Sequence, residues 1–348
     1  MSISFVIAAY NIEAYIAECL EQVLQSATAQ DEIIVVNDGS TDSTRQIIRD
    51  VCSRHPHIQV VDKPNGGLSS ARNAGLAQAK GNYLLFLDGD DVVRPEAVGC
   101  ARMTLAMKNP DILVMDYQDW LDDGRGELCQ SRRRSHTPEQ LTTSPVAHLK
   151  ETLEDCIPSV WSRFFKRDLF DALPASPFPE WSMYDDMPTT PYLVAAAHSM
   201  LYLPLPLVQY RVRAGSLTRE RTERSCTDMI KAAVHASGAV RKLPADEALQ
   251  LSADTFVASK MLDAIRQCRE LRHPSVAIYR EITDIGLKGM VLDHASLLRH
   301  LRSSSKAQHK AILPHLRRLF GWRQGYVWMQ ALIGIQKASK RRRRTRSA

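Results

Sequence analysis

The sequence predicts an α/β fold, an open and mostly parallel sheet flanked by helices, followed by an α-helical C-terminal region. Short apolar runs alternate with amphipathic stretches through the first 115 of the 348 residues. The runs "EIIVVND" and "NYLLFLD" are nearly continuous in apolar character, as expected of strands covered on both faces. Beyond residue 225 strand signals stop and long helical periodicities take over.

The elements follow in order. Residues 3–9, "ISFVIAA", form the first strand, after which Ile12, Ile16, Cys19, Leu20, Val23 and Leu24 recur at helical spacing. Residues 32–38 form the second strand; Asp38, Gly39 and Ser40 make the turn, and "TDSTRQIIRDVCSR" enters a helix through short polar residues. "IQVVD" (58–62) is the third strand, "LSSARNAGLAQA" (68–79) a helix, "NYLLFLD" (82–88) the fourth strand, and "DILVMD" (111–116) a fifth after another helix. Such alternation implies βαβ units with right-handed crossovers. From 117 to 155 the pattern weakens, and "DDGRGELCQSRRRSHTPEQLTTSP" (122–145) is polar and turn-rich, expected as a mobile insertion or surface segment. "VWSRFFKRDLF" (160–170) restores order, residues 184–198 read as a loop entering a helix, and 200–219 as extended chain. Helices are expected over 226–241, 246–271 and 275–302. The division is therefore 1–220 for the α/β domain, 221–316 for the helical region and 317–348 for a tail.

A hydrophobic content of 44% and a charged fraction of 24% suit a globular chain. The net charge of +6 is a property of the tail. Lys337, Lys340, Arg341, Arg342, Arg343, Arg344 and Arg346 are seven of the 45 basic residues, and the remaining 38 face 39 acidic ones. The seven cysteines are scattered, without C-x-x-C spacing, as in a reduced cytosolic protein. "MSISFVIAAYN" has no basic leader and reads as a buried strand, and no run of 18 apolar residues occurs.

Open α/β sheets bind ligands at the carboxyl ends of their strands. Asp88, Gly89, Asp90 and Asp91 stand there, without a Lys or Arg in the segment. Residues i and i+2 of a strand share a face, so Asp88 and Asp90 can converge, and Gly89 permits a close backbone approach. Hard oxygen ligands at a strand end suit Mg²⁺ or Mn²⁺, whose shell a diphosphate would complete. The bland alternative is a solvated turn or a cap for the helix near Pro95. At the neighbouring strand end, the Asp38 carboxylate can accept from a base N–H or a ribose hydroxyl. In "NGGLSSARNAG" the glycines allow a tight turn, and Arg72 can reach phosphate or simply lie at the surface.

"VIAAYNIEAYIAECLEQVL", "IIVVNDGSTDST", "NGGLSSARNAGLAQAKGNYLLFLDGDD", "VWSRFFKRDLF", "YDDMPTT" and "YRVRAGSLT" resemble, in order and spacing, the motifs of family 2 glycosyltransferases with the GT-A fold. The resemblance covers roughly residues 1–220. It implies inverting transfer of a sugar from a nucleoside diphosphate sugar, usually a UDP-sugar, to an acceptor hydroxyl. On that likeness Ala8, Tyr10 and Asp38 line the base and ribose pocket. Asn65, Gly67 and Arg72 lie near the nucleotide, Asp88 with Gly89 approaches the ribose, and Asp90 holds the metal. "MYDDMPTT" stands where the family has a Glu-Asp pair, so Asp186 is assigned as the base and Asp185 as its support. Asp185 departs from the pattern by one methylene. Trp161 and Trp181 are sugar platforms or core anchors. Arg211, Arg213 and Ser216 match a motif that meets the acceptor or the diphosphate, with a structural pairing to Asp185 or Glu180 as the alternative.

The tail joins aromatic and aliphatic residues from Leu319 to Ile335 to a polybasic end, expected to lie on an anionic membrane surface, with a final helix packed on the body and a disordered charged end as the alternative. A near-neutral body without a recognised motif argues against nucleic acid. The expectation is a cytoplasmic enzyme, peripheral at the inner face of the plasma membrane, acting on a glycan or lipid-linked acceptor. Two rivals remain at this point. A nucleotidyltransferase would carry a Gly-rich basic loop after the first strand, which "AAYNIEAY" is not; an inactive scaffold would not need Asp38, Asp88, Asp90 and Asp186 together.

Overall fold

In the computed structural model, residues 1–121, 128–132, 140–155, 158–212, 221–271, 274–292, 294–303 and 313–315 are described. Strands β1 (Ile3–Ala9), β2 (Glu32–Asn37), β3 (Ile58–Asp62) and β4 (Tyr83–Asp88) pair in parallel in the order β3-β2-β1-β4. Every residue of β1 is buried, which accounts for its unbroken apolar run. Helices α1 (Ile16–Ser26), α2 (Thr44–Arg54), α3 (Leu68–Leu76) and α4 (Pro95–Lys108) make the connections. Ile16, Cys19, Leu20 and Val23 form the buried face of α1, as their spacing predicts. Pro95 opens α4, where a missing N–H costs nothing.

The other half of the sheet differs from the mostly parallel expectation. Strand β5 is Val92–Val93, β6 is Ile112–Leu121, β7 is Leu128–Arg132, β8 is Arg163–Lys166 and β9 is Met200–Val212. The path runs β4-β8-β6-β9-β5, with β7 added on β6. β8 lies antiparallel between β4 and β6, whereas β6 and β9 are parallel. Of the segment 122–145, expected as a mobile insertion or surface segment, residues 128–132 form β7 on β6 and Pro145 opens α5 (Pro145–Asp155), while 122–127 and 133–139 lie outside the described residues; β6 itself continues to Leu121, beyond the point where the apolar pattern weakens. Polar composition misled there because the outer turns of β6 face partly outward. Helix α6 (Asp186–Ala196) then leads to β9.

Contacts divide the chain into one unit of residues 1–219 with 239–245, which holds the whole sheet, and a second of 220–238 with 246–348. Within the second, α7 (Glu223–Ser237), α8 (Glu247–Glu270), α9 (Val276–Gly289) and α10 (His294–Ser303) bury apolar faces. The single helix expected over 275–302 is two. The chain breaks after Gly289, and the buried Asp254 carboxylate accepts the amides of Val291 (3.1 Å) and Leu292 (2.7 Å), rewarding the break. The expected tail, 317–348, lies outside the described residues. Among the described residues no helix is long and apolar enough to cross a membrane.

The loops at the carboxyl ends of β1, β2 and β3 brace one another. Asn11 adopts φ 49° and accepts the Thr41 amide at 2.8 Å, while Thr44 Oγ1 accepts the Ile12 amide at 2.8 Å. Asp38 is buried and holds the loop after β3: its carboxylate accepts from Lys63 Nζ (2.5 Å), the Gly66 amide (3.0 Å), the Gly67 amide (2.7 Å) and Asn65 Nδ2 (3.1 Å). Gly39 lies against this loop with φ 71°, where a Cβ would stand 2.5 Å from the Asn65 amide nitrogen. Asp38→Ala should therefore strand Lys63 and two amides and cost about 3 kcal/mol. Urea denaturation would show it as a lower midpoint with an unchanged slope.

Candidate active site

The acid cluster begins where β4 ends. Gly89 donates its amide to Ala8 O at 2.9 Å, and a Cβ there would lie 2.9 Å from that oxygen and 2.7 Å from Ile12 Cδ1. Only glycine lets the turn pass so close to β1. Asp88 and Asp90 are partly exposed, whereas Asp91 is buried. Asp91 Oδ1 accepts the Arg211 amide at 2.8 Å, and its Oδ2 is buried without a hydrogen-bond partner among the described residues. Burial, then the charges of Asp90 and Asp88, push the Asp91 carboxyl well above the usual range.

A second group of residues is brought to this edge by α3. Ser69, Arg72 and Asn73 lie on one face of that helix, at i, i+3 and i+4. Ser69 Oγ donates to Pro179 O at 2.8 Å, and Asn73 exchanges hydrogen bonds with the Phe178 backbone at 2.8 and 3.1 Å. Between them Arg72, 1% exposed, donates from Nη2 to Asp88 Oδ1 at 2.6 Å and from Nη1 to Asp185 Oδ2. The segment before α6 is thereby pinned to the end of β4. Residues nearly a hundred positions apart share one guanidinium.

The electrostatics follow from one cation among three carboxylates. Burial works against the charge of Arg72, but Asp185 and Asp88 outweigh it and raise its pKa. Burial likewise raises Asp185, with Arg72 pulling it back. Asp186, at the first turn of α6 and partly exposed, is pushed up to about 7 by desolvation and then by the charge of Asp185; Arg72 opposes the shift and Asp88 adds to it. A single guanidinium cannot balance three anions, so the cluster keeps a proton towards neutrality. A carboxyl that titrates there can accept a proton from an alcohol held against it.

The other expected site residues fall as follows. Ala8 is buried at the end of β1, Tyr10 is 46% exposed beyond it, and Asn65 and Gly67 lie exposed in the loop that Asp38 holds. Asp38 is thus engaged by protein donors, a loop-organising role that its strand-end position alone did not reveal. Arg72 is at the expected edge, but both its terminal nitrogens are committed to carboxylates rather than presented to a phosphate. Arg211 also departs from expectation. It is 5% exposed, donates from Nε to Asp90 O at 2.8 Å and from Nη2 to Glu18 at 2.6 Å, and lies over the Trp120 and Tyr15 rings at 4.0 and 4.7 Å. It buttresses the acid turn from behind, because its aliphatic and planar surface finds aromatic cover there. Trp161 packs in a cluster with Tyr117 (4.6 Å) and Tyr210 (5.4 Å), while Trp181 is 43% exposed. Arg213 and Ser216 lie outside the described residues. Sequence reasoning placed Lys63 at this edge without its role and missed Glu18, Ser69 and Asn73, which support the site only through contacts distant in the chain.

The donor set fits a divalent cation of the Mg²⁺ or Mn²⁺ kind. Two partly exposed carboxylates stand at the strand end, and among the described residues no three acidic, His or Cys groups converge into a cage. Such ions bind through one or two carboxylates and leave the rest of their shell to water and phosphate.

Comparisons with known proteins bear on the fold that carries this arrangement. Residues 4–170 match the family model described as Glycosyl transferase family 2. The chain is 30% identical over 227 residues to the glycosyltransferase GlyA of Streptococcus pneumoniae serotype 4, an alignment spanning 64% of this chain and 32% of GlyA. It is 33% identical over 160 residues to the chondroitin synthase of Pasteurella multocida, covering 42% of this chain and 15% of that protein. It spans no more than about half the length of the first curated relatives it matches. In fold it resembles residues 1–349 of Staphylococcus aureus TarS, crystallised with UDP-GlcNAc, with a TM-score of 0.67 and 20% identity over 93% of this chain and 92% of that one. The α/β unit therefore has the GT-A fold, and residues 4–170, which carry the first eight strands of its sheet, match the family 2 glycosyltransferase model.

Proposed function

We propose that the chain is an inverting glycosyltransferase that moves a sugar from a UDP-sugar to a hydroxyl of a glycan or lipid-linked acceptor. Asp186 carries the reading: a partly exposed carboxyl, titrating near 7, beside the strand-end acids. A base works best with a pKa near the working pH, where proton affinity and ionised fraction are both substantial. The acceptor oxygen would give its proton to Asp186 and bond to the anomeric carbon as the bond from that carbon to the diphosphate breaks, its electron pair leaving with UDP. Asp185 is the poorer base, since its carboxylate is spent on Arg72. Ala8, Tyr10, Asn65 and Gly67 would receive the nucleoside on the loops braced through Asp38. Asp90 would hold Mg²⁺ or Mn²⁺, which when bound neutralises charge on the departing diphosphate. The fold shared with TarS supports a UDP-linked donor, and the likeness to chondroitin synthase supports work in polysaccharide assembly. The apolar and polybasic tail supports peripheral contact with an anionic membrane surface, each charge contributing about 1 kcal/mol near the headgroups.

Three outcomes are expected. UDP binds more tightly with Mn²⁺ in calorimetry, and Asp90→Asn removes the enhancement; metal-independent binding would count against the metal assignment. Asp186→Asn cuts kcat at least 100-fold, on the order expected for a lost general base, while UDP affinity stays within about threefold. Because the ionised form is the base, kcat/KM falls as pH drops through about 7. Equal losses in turnover and UDP affinity would make Asp186 structural. Removing residues 317–348 lowers co-sedimentation with phosphatidylserine vesicles; unchanged sedimentation rejects the membrane contact.

A further inference from the structure

We infer that Arg72 is a positioning residue that fixes Asp185 and tunes the charge of the proton acceptor Asp186, an inference that rests on the assignment of Asp186 as base. The guanidinium joins three elements: α3 carries it, β4 ends in one partner, Asp88, and the entry to α6 provides the other, Asp185. It is 1% exposed and lies 6.0 Å from the Phe178 ring centroid, and its helix is tied to residues 178 and 179 by Asn73 and Ser69. A side chain so enclosed would have to abandon two buried or half-buried acids to reach a phosphate. Breaking such a pair leaves a charge uncompensated in a poorly solvated place, so the bridge persists.

The charged groups that act most strongly on Asp186 are Asp185 on its own element, Arg72, which bridges Asp185 and Asp88, and Asp88 at the end of β4. Both acids favour the protonated form of Asp186; Arg72 favours the ionised form that a base requires. The field of Arg72 therefore decides how much ionised Asp186 is present at neutral pH. Substituting Arg72 and substituting Asp185 must move the titration of Asp186 in opposite directions. Loose packing at the same place would not.

The test is kcat/KM against pH for the whole chain and for Arg72→Lys, Arg72→Gln and Asp185→Asn, with thermal melts on each. Arg72→Gln should move the acid limb up by about one pH unit or more, a loss of about fivefold or more at neutral pH that approaches tenfold in acid and is regained in alkali. Arg72→Lys keeps the charge without the two-pronged grip, so its limb falls between. Asp185→Asn should move the limb down. Limbs that stay in place while rates fall, or that move the same way in both kinds of variant, overturn the inference. Should Arg72→Gln fail to fold, Arg72→Lys and Asp185→Asn decide it by the same criterion. Turnover retained by Asp186→Asn defeats the base assignment, whereas unmoved limbs beside an inactive Asp186→Asn defeat the Arg72 role alone.

Discussion

The buried guanidinium of Arg72 is the interaction on which the site depends. It stands between the end of β4 and the entry to α6, and its two anionic partners come from segments joined only through the second half of the sheet. A charge with so little solvent access is tolerable only when paired, which makes the juxtaposition of Asp88 and Asp185 a folding requirement. The hydrogen bonds of Ser69 and Asn73 to the 178–179 backbone give the same helix face a second hold. One face of α3 thus sets the position of the acid pair to within a side chain's reach.

Three further devices keep the rest of the edge in place. Asp38 gathers the loop after β3 through its carboxylate, and Gly39 provides the close approach that this loop needs. Gly89 lets the acid turn lie against β1. Arg211 ties that turn to α1 through Glu18 and to β6 through Trp120. The sheet itself contributes rigidity: every residue of β1 is buried, and β4 is buried up to Asp88. Asp88 and Asp90 therefore sit where order gives way to solvent, which suits groups that must be fixed yet accessible.

The distribution of charge has a chemical consequence. Asp88, Asp90 and Asp91 lie on one side and Asp185 and Asp186 on the other, and among the described residues Arg72 pairs with one acid from each. The surplus of negative charge on the first side is what a cation would relieve. On the second, burial and then the charge of Asp185 push the Asp186 carboxyl up to about 7. A carboxyl placed there is poised to exchange a proton, while Asp185, although its neighbour in sequence, is fixed by its ion pair.

Much of this was legible in the chain. Continuous apolar runs gave β1, β2 and β4, helical spacing gave the buried face of α1, and the polar residues following each strand marked the ligand edge, because these signals depend on local periodicity. Asp38, Asp88, Asp90 and the 185–186 pair could be picked out as carboxylates at element ends. The antiparallel insertion of β8, the extension of β6 and the break between α9 and α10 could not, since each is rewarded by pairing or capping with residues far away in sequence. The same reason separates type from role at the site. The sequence by itself determined which residues could carry charge at the sheet edge; only the tertiary structure decided that Arg72 faces two acids, that Arg211 lies behind the acid turn and that Asp185 is paired while Asp186 reaches solvent, because charge–charge energies depend on distance and burial, and neither is written in spacing.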